Sequence, residues 1–289
     1  MVIVRIQGGL ANQMYQYVFY HWLVQKHKEK GLKINTFIDN SMYYHKVPKQ
    51  ECDPVHNGYE LKQVFGIEAP VAELQDIYRL SEYRYDLFRK ALIKARITIK
   101  GRLASQINDD NEDDLKQNLA TIDEKYFSGT WSCLKYANDY SDEIRNIFSF
   151  PIIDDLRNTE AKKMIEKTNS VSVHVRRGDY LNIQNGINLG MDYYNNAMFK
   201  ISEIVESPYF FVFSDDIEWC KANFDYKNIC FVEWNNGKES YRDMQLMSLC
   251  KHNIVANSTF STWASWLNSN ENKVILRPGH NGSVLEGLE

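Results

Sequence analysis

Val171-Ser172-Val173-His174-Val175-Arg176-Arg177-Gly178-Asp179-Tyr180 decides how this chain is read. Valine recurs at every second position, which predicts a buried strand. The strand ends in two adjacent arginines, and Gly178-Asp179 reads as the turn leaving it. In an open α/β sheet, ligands bind just beyond the carboxyl ends of the strands. This strand therefore sets two guanidiniums where a ligand would sit. Guanidinium is permanently charged, planar and suited to forked bonds with phosphate. The competing reading is that Arg176 and Arg177 pair with nearby carboxylates.

Working outward, strand-like runs at 170–175, 209–214, 229–233, 252–256 and 273–276 alternate with helical stretches at 152–168, 192–206, 216–224, 240–250 and 260–269. That alternation predicts βαβ units and a parallel sheet. Tyr209-Phe210-Phe211-Val212-Phe213 is wholly apolar, as a strand covered on both faces should be. The first half opens with a strand, Val2–Ile6, and then a helix. Its middle is less regular: residues 40–60 carry Pro48, Pro54 and Gly58 and read as loop, and residues 108–116 are an acidic run. Phe150-Pro151 separates the halves. The expected fold is α/β, with two Rossmann-like parallel-sheet domains, 1–150 and 151–289, facing a central cleft.

Composition narrows the class of protein. The chain has 289 residues, 44% hydrophobic and 25% charged, with a formal net charge of −4. Nothing in that balance calls for nucleic acid or an anionic membrane as partner. Five scattered cysteines form no Cys-x-x-Cys pair, so neither a zinc site nor a redox motif is indicated. No run approaches the ~20 apolar residues that span a bilayer. The reading is a cytoplasmic protein, peripheral to the inner membrane if its substrate is lipid-linked. Two Asn-x-Ser/Thr sequons, at Asn257 and Asn281, carry no meaning in that compartment.

Three further segments carry candidate chemistry. Gly8-Gly9-Leu10-Ala11-Asn12-Gln13-Met14 joins the first strand to the first helix. Its glycines let backbone approach a ligand, and N–H groups opening a helix favour anions. The alternative is a tight turn with Asn12 as a local hydrogen-bonder. Phe213-Ser214-Asp215-Asp216-Ile217-Glu218-Trp219-Cys220 ends an apolar strand in carboxylates, which cap the next helix or, less readily, bind a metal. The chain contains no Asp-x-Asp. Asn257-Ser258-Thr259-Phe260-Ser261-Thr262-Trp263 delivers hydroxyls to a helix start, either to cap it or to meet phosphate.

In order, His174–Tyr180, Phe213–Cys220 and Ser258–Trp263 resemble the three signature blocks of the α-1,2-fucosyltransferases, glycosyltransferase family eleven. Gly8–Met14 looks like that family's N-terminal block. The chain is similar to its soluble bacterial-type members. The resemblance implies a GT-B-like fold whose C-terminal domain holds GDP-fucose and whose N-terminal domain shapes the acceptor site. It implies inverting transfer of L-fucose from GDP-β-L-fucose to the 2-hydroxyl of a terminal β-galactoside, in glycan, O-antigen or capsule synthesis. No metal and no cofactor beyond the donor is implied. Arg176 is the expected clamp on the departing β-phosphate. Gly8, Gly9, Asn12, His174, Arg177, Ser258, Thr259 and Phe260 are expected at the donor. Asp179 is the first choice of base, with turn-capping or orientation of Arg176 as its alternatives.

Two departures from related fucosyltransferases stand out. Where they carry an acid for guanine, rough alignment places His252, with Glu233 as a substitute. Where the α-1,6 relatives carry a glutamate, this chain has Gln184. Tyr43, Tyr44, Tyr59, Tyr83, Tyr85 and Trp131 are rich in the first half, but most such residues pack in cores. Two other readings stay open: a GT-B transferase with another linkage or sugar nucleotide, and a GDP-sugar-binding protein without turnover.

Overall fold

In the computed structural model, residues 1–44, 57–81, 105–110, 118–182, 188–279 and 283–288 are described. Tyr83, Tyr85, Gln184 and most of the acidic run lie outside them. The chain divides into two compact units, Met1–Ser149 and Phe150–Glu289.

The first unit begins with β1 (Val2–Arg5), α1 (Leu10–Glu29) and β2 (Thr36–Asp39). It continues through α2 (Glu60–Phe65), α3 (Leu74–Leu80), β3 (Gln106–Asn108) and β4 (Lys125–Ser128), and closes with α4 (Lys135–Asn138) and α5 (Ser141–Ile147). Its four-stranded sheet runs β2-β1-β4-β3, every pair parallel. Helix α1 is buried over most of its length, polar residues included. Gln13 and Gln16 explain how: each is fully buried and spends its amide on loop backbone. Gln13 donates to the Gly8 and Gly58 carbonyls, and Gln16 donates to the Gly129 carbonyl while accepting from the Gln7 N–H. Buried amides are tolerated only when satisfied in this way. Trp131 stacks on Phe19 at 4.0 Å, and Tyr59 is also buried; both are core residues, whereas Tyr44 is exposed.

The second unit runs α6 (Leu156–Lys167), β5 (Asn169–Val175), α7 (Met191–Ile204), β6 (Pro208–Ser214), α8 (Ile217–Asn223), β7 (Ile229–Val232), α9 (Tyr241–Leu249), β8 (His252–Ile254), α10 (Thr259–Leu267) and β9 (Ile275–Pro278). These match the alternation expected from sequence, element for element. A short β10 (Val284–Glu286), antiparallel to β9, adds an edge that periodicity did not signal. The sheet order is β10-β9-β8-β5-β6-β7. Strand β5 is wholly buried between β6 and β8 apart from its first residue. Val171, Val173 and Val175 pack with Tyr193, Tyr194, Ala197, Met198 and Ile201 of α7. The latter recur at helical spacing, so one face of α7 covers one face of the sheet.

That order fixes where a ligand would sit. The chain passes from β5 outward to β6 and β7, then returns to the other side of β5 for β8 and β9. The reversal makes a topological switch point between the carboxyl ends of β5 and β8, the place where open α/β sheets form their binding crevice. Arg176 follows β5 directly, and Ser258 lies four residues past β8.

Candidate donor site

Arg176 is held from two sides. Its Nη2 is 2.8 Å from Asp179 Oδ1, its Nη1 is 3.0 Å from Asp215 Oδ2, and its guanidinium lies 5.5 Å from the Tyr180 ring. Asp215 also accepts the Arg177 backbone N–H at 2.9 Å. The guanidinium has five N–H donors and these contacts use two, so donors remain for a ligand. Gly178 permits the arrangement: a Cβ there would stand 2.6 Å from Asp215 Oδ2.

Arg177 does something else. Its Nε donates to Asp216 Oδ2 at 3.0 Å, and its guanidinium lies 3.9 Å from the Trp219 ring. Asp216 in turn caps α8, accepting the Trp219 N–H at 3.2 Å. Arg177 therefore fastens the β5 loop to the start of α8, the competing reading of that arginine. Two guanidiniums face three carboxylates here. The cluster without ligand is a set of ion pairs, not an open pool of positive charge.

His174 is buried, its ring 5.8 Å from that of Phe260 on the first turn of α10. Burial, with Arg176 nearby, pushes its pKa down to about 3, so the imidazole is neutral. Its Nδ1 is buried and has no hydrogen-bond partner among the described residues. An orphaned buried nitrogen is unusual and marks a position that a ligand can complete. Across the switch point, Tyr180 donates its hydroxyl to the Asn257 carbonyl at 3.2 Å. His174, Arg176, Tyr180, Ser258 and Phe260 are thus brought to one edge. Ser258 caps α10, accepting the Phe260 N–H at 3.4 Å, and Thr259 opens that helix.

Two of the expected donor positions have other partners in the structure. His252 stands opposite Val171 in the β5–β8 register, while the arginines follow Val175. Four residues of parallel strand place it ~13 Å back from the carboxyl edge. Its Nδ1 accepts the Val274 N–H at 3.0 Å, so it ties β8 to the approach of β9. Glu233, the substitute, is ion-paired with Lys221. The second concerns Gly8 and Gly9. Gly8 has φ +79° and Gly9 opens α1, as a turn requires. However, the buried Glu60 carboxylate accepts the Leu10 N–H at that helix start. Gln13 and Tyr43 take the Gly8 carbonyl. The turn already holds an internal carboxyl group, its pKa raised by burial, so an external phosphate has a competitor there. Asn12 lies beneath Gly8, its amide 2.9 Å from where a Cβ would be.

Sequence reasoning missed Asp215 as a partner of Arg176, and Trp219 as the ring under Arg177. The signal for Trp219 was its spacing, three residues past the cap. Among the described residues no group of three or more His, Cys, Asp or Glu side chains is placed to hold a metal ion.

A family model described as glycosyl transferase family 11 matches residues 107–283, which spans the whole arginine, aspartate and hydroxyl constellation. The chain belongs to glycosyl transferase family 11. This family member is a glycosyltransferase. It is 30% identical to an alpha-1,2-colitosyltransferase of Escherichia coli, over 96% of this chain and 91% of that one. It is 31% identical to the O-antigen biosynthesis glycosyltransferase WbnK of the same organism, over 97% and 96%. In structure it resembles NodZ alpha-1,6-fucosyltransferase co-crystallized with GDP, with a TM-score of 0.54 over 99% of this chain and 97% of that one. At 17% identity the likeness speaks for the fold, the GT-B type with parallel-sheet α/β units. No helix among the described residues is long and apolar enough to cross a membrane.

Proposed function

We propose that the protein transfers L-fucose from GDP-β-L-fucose to the 2-hydroxyl of a terminal β-galactoside, with inversion and without a metal ion. One observation carries this reading: in a family 11 chain, Arg176 is held by Asp179 and Asp215 at the switch point of the second unit. As the bond to fucose breaks, negative charge grows on the β-phosphate. A guanidinium fixed beforehand stabilises that charge without having to reorganise. The neutral His174 ring and the Ser258-Thr259 helix start complete the donor side. Asp179 acts through Arg176, since one of its oxygens already faces that guanidinium. Inversion sets the acceptor hydroxyl on the face opposite the departing phosphate, so its proton passes to solvent as the new bond forms while GDP leaves as the anion that Arg176 stabilises.

The relative named for colitose favours a second reading of the donor. Colitose is fucose without its 3-hydroxyl, so GDP-colitose is the alternative substrate. An acceptor in O-antigen assembly fits the relative named for O-antigen biosynthesis.

The test is GDP release from each donor, with EDTA present, against a panel of β-galactosides. Acceptor-stimulated release from GDP-fucose is expected. Release only on adding a divalent cation ends the metal-free reading, and preference for GDP-colitose selects the second donor. Retained binding with no release at any acceptor leaves a non-catalytic binding protein. Arg176→Ala should lower the transfer rate ~10²–10³-fold in a folded protein; wild-type rates in that variant dispose of the phosphate clamp.

A further inference from the structure

Tyr180 reaches both walls of the switch point. Strand β5 pairs with β8 as far as Val173 and Ile254, but with β6 as far as Val175 and Ser214. Past Val173 the chains leaving β5 and β8 therefore part, and the gap between them is the mouth of the crevice. Arg176 stands on one wall, Asn257 and Ser258 on the other. After Arg177-Gly178 the chain folds back in a 3-10 turn, Asp179–Asn182, with the Leu181 N–H on the Arg177 carbonyl at 2.9 Å. That turn carries Tyr180 across the mouth. Its ring lies 5.5 Å from the Arg176 guanidinium, and its hydroxyl donates to the Asn257 carbonyl at 3.2 Å. The Ser258 hydroxyl faces the same phenol oxygen. Burial holds the phenol above its ordinary pKa, so it stays protonated and remains a donor.

The ring supplies what the ion pairs do not. Asp179 holds Nη2 of Arg176 and Asp215 holds Nη1. Two bonds to the terminal nitrogens fix the line joining those atoms. They leave the guanidinium free to tip about that line on its flexible stem. A tipped plane turns its remaining N–H groups away from a phosphate, whose recognition by arginine is planar and forked. An aromatic ring against the cation resists the tipping, because the attraction falls off as the cation leaves the ring face. The hydroxyl does a second job. It ties the same ring to the entry of α10, so the arginine and the helix start keep a set spacing.

Given the GDP-sugar reading above, on which this rests, we infer that Tyr180 is a positioning residue of the donor site, its ring orienting Arg176 and its hydroxyl setting the width of the crevice between Arg176 and Ser258. The two jobs have different kinetic signatures. Tipping of Arg176 weakens a charge stabilisation that grows only as the bond to fucose breaks, so losing the ring lowers kcat. A loosened crevice holds the donor's phosphates less well in ground and transition state alike, so losing the hydroxyl raises the donor's KM and spares kcat.

The experiment measures kcat and the GDP-fucose KM for the wild type, Tyr180→Phe, Tyr180→Leu and Tyr180→Met, each also in an Arg176→Ala background, with a melting curve on every sample. Tyr180 is partly exposed, so these variants should fold. Tyr180→Phe keeps the ring and should raise KM ~5-fold, the worth of one hydrogen bond, with kcat within ~2-fold of wild type. The two variants without a ring should share that KM and lose a further ~10-fold in kcat, the scale of a partly desolvated cation–π contact. Without Arg176 the ring has nothing to orient, so the three variants should then agree in kcat. A ring that only packs would lower kcat by the same factor with or without the arginine, and that outcome overturns the inference. So does equal kcat for Tyr180→Phe and both variants without a ring when Arg176 is present. An unchanged KM in Tyr180→Phe overturns the hydroxyl's part. Wild-type rates in Arg176→Ala alone overturn the phosphate clamp and this inference with it, whereas the failures above leave the clamp standing.

Discussion

Asp215 shows how much one short side chain organises. It faces Arg176 with one oxygen and the Arg177 N–H with the other, across a position where only glycine fits. Gly178→Ala would force Asp215 aside and release Arg176 from one of its two restraints. The expected outcome is a ~10²-fold loss of transfer, comparable with losing one preorganised donor. The melting temperature should stay within a few degrees, because the contact lies at the edge of the core. Rates and melts on the same sample check both halves. His174 gives a pH prediction. Its folded pKa, about 3, is below the ordinary value of 6.5, so the unfolded chain binds the extra proton between those limits. Stability from this residue is present above pH 6.5 and is lost as pH falls toward 3. Each pH unit between the folded and unfolded pKa is worth ~1.4 kcal/mol, so the loss is on the order of a few kcal/mol. Denaturant titrations at pH 7 and pH 4 should show a smaller acid loss in His174→Asn than in the wild type; equal losses would clear His174 of any part in the acid sensitivity.

Helix α10 tests whether a residue serves the fold or the ligand. Ser258 accepts the Phe260 N–H, and its carbonyl accepts from Ser261 and Thr262. Ser258→Ala should cost ~1 kcal/mol, the usual value of an N-cap. Ser258→Asp preserves the cap but sets a negative charge where the donor's phosphates are proposed to lie. Stability should survive while GDP affinity falls at least ~10-fold, since like charge opposes binding. Undiminished affinity in that variant would confine Ser258 to capping. The elements themselves were largely legible. Strand β6 announced itself by unbroken apolar character, as a strand buried on both faces commonly does, and β5 by valine at alternate positions, although Ser170, Ser172 and His174 on its other face are buried too. Strand β10 did not, because one half-buried and two exposed residues at a sheet edge carry no such constraint. Nor did the orientation of Glu60 into the start of α1, a contact between segments fifty residues apart.

At the scale of the molecule, two units each fold around their own sheet, parallel in the first and parallel but for the β10 edge in the second. The donor is proposed to belong to the second. Hydrogen exchange with and without GDP should slow amides at 176–182, 214–219 and 257–262. It should leave Gly8 to Ala11 unchanged, where Glu60 already occupies the helix start. Protection at Gly8–Gly9 would restore those amides to the phosphate cradle.

By itself the sequence determined the alternation of strands and helices, the carboxyl-edge position of the arginines and the family. Each of these follows from local pattern: period, turn chemistry and ordered motifs read along the chain. Which side chains face one another was decided only by tertiary structure. Strand register sets His252 ~13 Å behind the edge where rough alignment puts it beside the base. Packing of α9 against α6 and α10 brought Asp243 to Asn235 and Asn158, residues eight and eighty-five positions away along the chain. Register and helix packing are fixed by burial summed over a whole sheet, so no single stretch of sequence records them.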